Sequence, residues 1–117
     1  WLTEDELRVY SSTFEQTGFQ GGLQWYRSAI DARLNAELEL FSGRTIDVPS
    51  CFVAGASDWG IHQKPGALEA MQRHACTNML GCHLVAGAGH WVQQEQPEET
   101  ARLVLEFLAK AQEKIAP

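Results

Sequence analysis

The stretch Leu84-Val85-Ala86-Gly87-Ala88-Gly89-His90-Trp91 decides how this chain is read. Three apolar residues give way to Gly-x-Gly, and an imidazole follows at once. That is the pattern of a buried strand that ends by presenting a side chain at the mouth of a sheet. Glycines at 87 and 89 admit backbone conformations closed to other residues and let neighbouring backbone approach, so the ring can be aimed. The pattern predicts a strand over 82–86 and marks His90 as a candidate general base.

Upstream, Val48-Pro49-Ser50-Cys51-Phe52-Val53-Ala54-Gly55 is nearly continuous in apolar residues with proline at its entry, and predicts a second strand. Asp58 lies three residues beyond it. Between the strands stand a loop over 56–66 carrying Trp59 and His62, and a helix over about 66–74 with Leu68, Met71 and Ala75 on one side. Gly81 closes the next connection. A strand, a helix and a strand, with both strands apolar on both faces, predict parallel neighbours in an α/β sheet. The carboxyl ends of such strands share one edge, where ligands gather. Asp58 and His90, 32 residues apart, are thereby expected side by side. Taken alone, Ser57-Asp58-Trp59-Gly60 is turn chemistry. Paired with His90, the carboxylate fixes one tautomer of the ring and stabilises the imidazolium that forms when the ring takes a proton. His62, His74 and His83 have no comparable setting and read as solvated or structural.

Helices flank this unit. Thr3-Glu4-Asp5-Glu6 fits a capping box, with Leu2 and Leu7 placed for a staple, and Leu7, Tyr10 and Phe14 marking one face of a helix that Gly18 ends. Residues 18–22 read as a connector. A second helix is expected over 23–41, with Leu23, Tyr26, Ile30, Leu34, Leu38 and Phe41 at helical spacing, which puts Tyr26 on its buried face. The two read as a helical hairpin. At the other end Pro97 suits a first helical position and Glu98 and Glu99 the positive end of the dipole. Ala101, Val104, Leu108, Ala111 and Ile115, supplemented by Leu105 and Phe107, predict the face this helix lays on the sheet.

With 117 residues, 44% hydrophobic and 21% charged, the composition is that of a folded globular unit. A net charge of −6 argues against nucleic acid or anionic membrane as partner, because both require a basic surface. No apolar run approaches the ~20 residues of a membrane span. Trp1 opens no n-region or h-region of a signal peptide, although a chain that does not begin with Met leaves any earlier targeting segment out of view. Three cysteines, Cys51, Cys76 and Cys82, form no CxxC pair and read as reduced thiols of a cytoplasmic protein. A zinc set of Cys76, Cys82 and His83 with His74 is opposed by the adjacency of Cys82 and His83, which points them to opposite faces of a strand. Gly87-Ala88-Gly89 begins like a dinucleotide loop, but position 92 is Val92 where the third glycine belongs. No cofactor is expected.

Two short parallel strands cannot cover both faces or satisfy their outer edges. The fold class read from the sequence is therefore α/β, the C-terminal part of a larger α/β protein. An acid in "GASD" (55–58) and a histidine in "GAGHW" (87–91), each after a strand, resemble the end of the α/β-hydrolase fold, whose chain order is nucleophile, acid, histidine. The opening "WLTEDELRVYSSTFEQTGFQGGLQWYR" (1–27) resembles the cap region of soluble epoxide hydrolases, and "GGLQWYR" (21–27) is its most specific piece.

The resemblance implies residues 1–43 as a helical cap portion and 44–117 as the C-terminal core portion. It implies that Tyr26 donates a hydrogen bond to an epoxide oxygen, that Asp58 is the charge-relay acid, and that His90 activates water. An aspartate nucleophile, an oxyanion-hole segment and a second cap tyrosine would lie outside these residues, so the isolated chain is expected to be inactive. It would need the N-terminal part of the fold, or an oligomer, to cover its strand edges. Trp25 and Trp91 either line an apolar substrate pocket or fill core. A haloalkane dehalogenase would share the histidine but not the context of Tyr26; a serine esterase of the same fold and a non-catalytic interaction module remain as competing assignments.

Overall fold

The computed structural model describes residues 1–115, with the side chains of Ala32, Leu34 and Ile115 outside that description. The expected apolar positions Leu34 and Ile115 therefore lie outside the described residues. The chain forms two compact units, one from Trp1 to Arg44 and one from Thr45 onward.

In the first unit, α1 runs Glu4–Thr17 and starts as its sequence dictates. The Thr3 hydroxyl accepts from the Glu6 N–H at 3.3 Å, while the Glu6 carboxylate accepts from the Thr3 N–H at 2.8 Å. Gly18 closes the helix, its N–H donating to the Phe14 carbonyl. Only Gly18 and Phe19 separate α1 from α2 (Gln20–Ile30), so Gln20, Gly21 and Gly22, expected in a connector, are helical. Phe14 and Phe19 stack across the junction with ring centroids 4.6 Å apart.

The single helix expected over 23–41 is broken. Asp31 is extended, and its carboxylate accepts from the Arg33 N–H at 3.0 Å, ending α2 and capping a new one-turn helix, α3 (Ala32–Asn35). A 3-10 segment, Ala36–Phe41, follows. No residue of α1 or α2 is buried, so the expected hairpin core does not form. Tyr26 is 68% exposed, correcting its assignment to a buried face. Its helical spacing is intact, but helical spacing defines a stripe without supplying the layer that covers it.

In the second unit, β1 is Ser50–Gly55 and β2 is Met79–Val85, paired in parallel as the sequence predicts, with Val53 opposite His83 and Gly55 opposite Val85. β2 starts three residues earlier than expected and takes in Gly81, which the sequence pattern places in a connection. β1 starts two residues later. A bridge between Ile46 and Cys76 prolongs the pairing upstream. The crossover contains a 3-10 turn, Trp59–His62, then α4 (Ala67–Ala70) and a π-helical turn, Met71–Ala75, in place of the continuous helix expected over 66–74.

After β2 a short helix, α5 (Val92–Glu95), leads into α6 (Pro97–Ile115). The core gathers Val85, Ala88, Val92 and Leu103, with Val53 against it. Leu103 is 5% exposed, and Thr100, Phe107 and Ala111 are half-buried on the same side of α6. Of the predicted face, Phe107 and Ala111 thus lie on the buried side, whereas Ala101, Val104, Leu105 and Leu108 are exposed. Both stripes are apolar, and sequence periodicity does not choose between adjacent faces of a helix when only one meets a sheet. Among the described residues no helix is long and apolar enough to cross a membrane.

Candidate active site

Parallel pairing brings the ends of β1 and β2 to one edge, and the backbone holds the following loops together there. The Ala56 N–H donates to the Val85 carbonyl at 2.8 Å and the Ser57 N–H to the Ala88 carbonyl at 3.0 Å. The approach is so close that a Cβ on Gly55 would collide with the carbonyls of Ala88 and Gly89. Glycine is required at 55 for that reason. Gly87 supplies the turn out of β2 with φ of 74°, while Gly89, also expected to need such freedom, has no positive φ.

On this frame Asp58 Oδ1 stands 3.0 Å from His90 Nδ1. Asp58 is 8% exposed, whereas the His90 side chain is 48% exposed, so the pair has a buried acid and a reachable ring. The same Oδ1 accepts the Gly60 N–H at 2.8 Å, and Asp58 caps the 3-10 turn that follows it. The Gly60 N–H is the main reason the Asp58 carboxyl is held below the ordinary carboxylate range; burial opposes this, and the hydrogen bond and charge of His90, then the charge of His62, add to the lowering. An ionised carboxylate only accepts, so Nδ1 carries the proton and Nε2 is left as the basic nitrogen. The arrangement can take a proton at Nε2 and stabilise the resulting imidazolium.

The indole of Trp59 stacks on the His90 ring with centroids 5.5 Å apart and planes 25° from parallel, and Trp91 meets it edge-on at 5.3 Å. Beside Asp58 a cavity of about 330 Å³ opens between Phe52, Ile61, Leu68 and Met71. Trp91, expected either in a substrate pocket or in core, is 51% exposed and does not line that cavity. Trp25 and Tyr26 lie on α2 in the other unit, both exposed.

Two participants escape a reading of the sequence. Trp59 reads there only as a loop residue, although its place directly after the acid is a usable signal. Glu95 does not stand out at all; its Oε2 accepts the Gly89 N–H at 2.8 Å and its Oε1 the Trp91 N–H at 3.0 Å. The zinc alternative gains no support: among the described residues no three His, Cys, Asp or Glu side chains converge as a metal set, and Cys51, Cys76 and Cys82 are free thiols.

No family model matches the chain. It is 40% identical over 111 residues to epoxide hydrolase A of Mycobacterium tuberculosis, covering 92% of this chain and 32% of that protein. Its structure superposes on an epoxide hydrolase from an endophytic Streptomyces with a TM-score of 0.85 and 38% identity, over 93% of this chain and 32% of the other. For potato epoxide hydrolase I the TM-score is 0.76 and the identity 33%, over 94% of this chain and 35% of that one. The chain thus spans about a third of the length of the relatives it matches. With a parallel strand pair that carries acid and histidine to one edge, and with these likenesses over nearly all its length, the chain belongs with the epoxide hydrolases of the α/β-hydrolase fold.

Proposed function

We propose that this chain supplies the water-activating half of an epoxide hydrolase. The observation that carries the reading is the 3.0 Å contact between Asp58 and His90 Nδ1, which leaves Nε2 as the basic nitrogen. An aspartate from the rest of the fold attacks an epoxide carbon, opening the ring to an alkyl-enzyme ester and an alkoxide that is protonated to a hydroxyl. His90 Nε2 then removes a proton from water, and the hydroxide attacks the ester carbonyl. The ester C–O bond breaks with the carboxyl proton passing to the departing oxygen, so that the diol leaves and the carboxylate is restored. The imidazolium returns its proton to solvent, offsetting the one taken up by the alkoxide at ring opening. Asp58 balances the charge of the imidazolium throughout that step.

Residues 1–43 serve as the cap, and Tyr26 donates to the epoxide oxygen, where one oriented donor is worth about 3 kcal/mol of barrier. Support for Tyr26 is the "GGLQWYR" context and its unburied side chain. Trp25 and Trp91 offer apolar surface to a small epoxide-type substrate. The remainder of the fold, or a second copy, covers the open edge of β1, which has β2 as its single strand neighbour among the described residues. A cytoplasmic setting is consistent with the three free thiols.

The test is single turnover by His90→Ala in a protein that joins this chain to the rest of the fold. The variant is expected to open one equivalent of epoxide and to accumulate the ester, visible as a mass increase equal to the substrate. Multiple turnovers at the wild-type rate would refute the role of His90.

A further inference from the structure

We infer that Glu95 is the positioning residue of His90, its carboxylate clamping the backbone on both sides of the ring. The kinetic consequence rests on the epoxide hydrolase reading; the geometric one does not.

Half of the His90 side chain is open to solvent, and its loop leaves β2 through Gly87 at a positive φ and then Ala88 and Gly89. The Trp59 and Trp91 rings flank such a ring without enclosing it, and the hydrogen bonds that prolong the strand pairing stop at Ala88. Something else must fix the backbone before and after position 90. The Gly89 and Trp91 N–H groups lie outside the sheet ladder, and Trp91 precedes α5 without a capping bond from its own side chain. One carboxylate takes both, with Oε2 on Gly89 at 2.8 Å and Oε1 on Trp91 at 3.0 Å. Bonds to an ionised acceptor are stronger than neutral ones, and a two-oxygen fork fixes direction as well as distance. The donors bracket His90, so the fork sets where its Cα sits, and the contact with Asp58 follows. Glu95 touches neither the ring nor any reacting atom. Its place in the polar run Gln93-Gln94-Glu95-Gln96 conceals this from sequence reading.

The experiment compares wild type, Glu95→Ala and Glu95→Gln in a protein that joins this chain to the rest of the fold. Glutamine keeps one acceptor oxygen and turns an NH₂ group toward the other amide, so it keeps half of the fork. One readout is the downfield proton resonance of the His90 Nδ1–H shared with Asp58. The other is the single-turnover rate of ester formation and, separately, of ester hydrolysis. In Glu95→Ala the resonance is expected to broaden or vanish and hydrolysis to fall about 10²-fold, the cost of a misplacement near 1 Å. Ester formation needs no base and holds its rate; Glu95→Gln falls between. A retained resonance, with both steps slowed alike and a lowered unfolding midpoint, would reduce Glu95 to a cap on α5 and overturn the inference. Should the alanine variant fail to fold, the glutamine variant decides by the same readouts. A wild type that forms no ester with epoxides would overturn the proposed function, and the resonance would still decide the role of Glu95.

Discussion

Gly55→Ala adds one methyl group at the end of β1, and the structure makes it costly. The new Cβ would meet the carbonyl oxygens of Ala88 and Gly89 and the Ala88 carbonyl carbon. All three are backbone, so no side chain can swing aside. The loop after β2 must retreat, on the order of 1 Å, and with it goes the 3.0 Å bond from the Ser57 N–H to the Ala88 carbonyl. Overpacking of this kind costs about 1–3 kcal/mol, and losing one backbone hydrogen bond adds roughly 1 kcal/mol. A destabilisation of about 2–4 kcal/mol is therefore expected. Because the moved loop carries His90 and the opposing one carries Asp58, ester hydrolysis should fall on the order of 10²-fold. Urea unfolding gives the first quantity from the shift in midpoint at constant slope, and single-turnover kinetics gives the second. A variant with the wild-type midpoint and the wild-type hydrolysis rate would show that the two loops do not abut as described, and the derivation of the Asp58–His90 contact from strand pairing would fall with it.

Three further outcomes are expected. Asp58→Asn presents an amide N–H to Nδ1, forces the other tautomer and removes the base at Nε2, so hydrolysis should drop by roughly 10³–10⁴-fold while ester formation survives. Since the folded-state pKa of Asp58 is lowered, its contribution to stability is present above the unfolded-state value and lost as pH falls through the folded one. Stability measured against pH should therefore fall more steeply below the ordinary carboxylate range in wild type than in Asp58→Asn; parallel curves would contradict the lowering, which the Gly60 N–H chiefly causes. Leu103→Ala should cost about 2–3 kcal/mol by urea unfolding, because Leu103 is a buried side chain that α6 contributes to the core. Val104→Ala, on the exposed side, should cost under about 0.5 kcal/mol, and the reverse order would restore the stripe the sequence suggested.

The strand pair and the meeting of Asp58 with His90 were legible because each rests on a local signal. Apolar runs bounded by turn residues mark strands, and a single crossover places both carboxyl ends at one edge. What failed depended on competition between neighbours. Leu23 to Phe41 keeps helical spacing throughout, yet Asp31 accepts from Arg33 and the backbone leaves the helix there, a contest between cap and helix that periodicity does not register. In α6 two adjacent apolar stripes were available, and the sheet selected Leu103 over Val104. Glu95 was invisible for the opposite reason: a carboxylate in a run of glutamines looks solvated until the chain folds back and sets two amides before it.

The precision of the pair follows from the ladder that precedes it. The pairing of Gly55 with Val85 continues past the strands, through Ala56 to Val85 and Ser57 to Ala88. The acid therefore leaves the sheet at a position fixed by strand register, and so does the histidine. Slipping β1 by one residue would exchange its two faces, expose Ala54, and carry Asp58 about 3.3 Å along the strand direction, well beyond hydrogen-bond reach of His90. The apolar core on one side of the sheet and the polar contact at its edge thus select the same register. That agreement lets a half-exposed imidazole keep one buried partner without being enclosed itself.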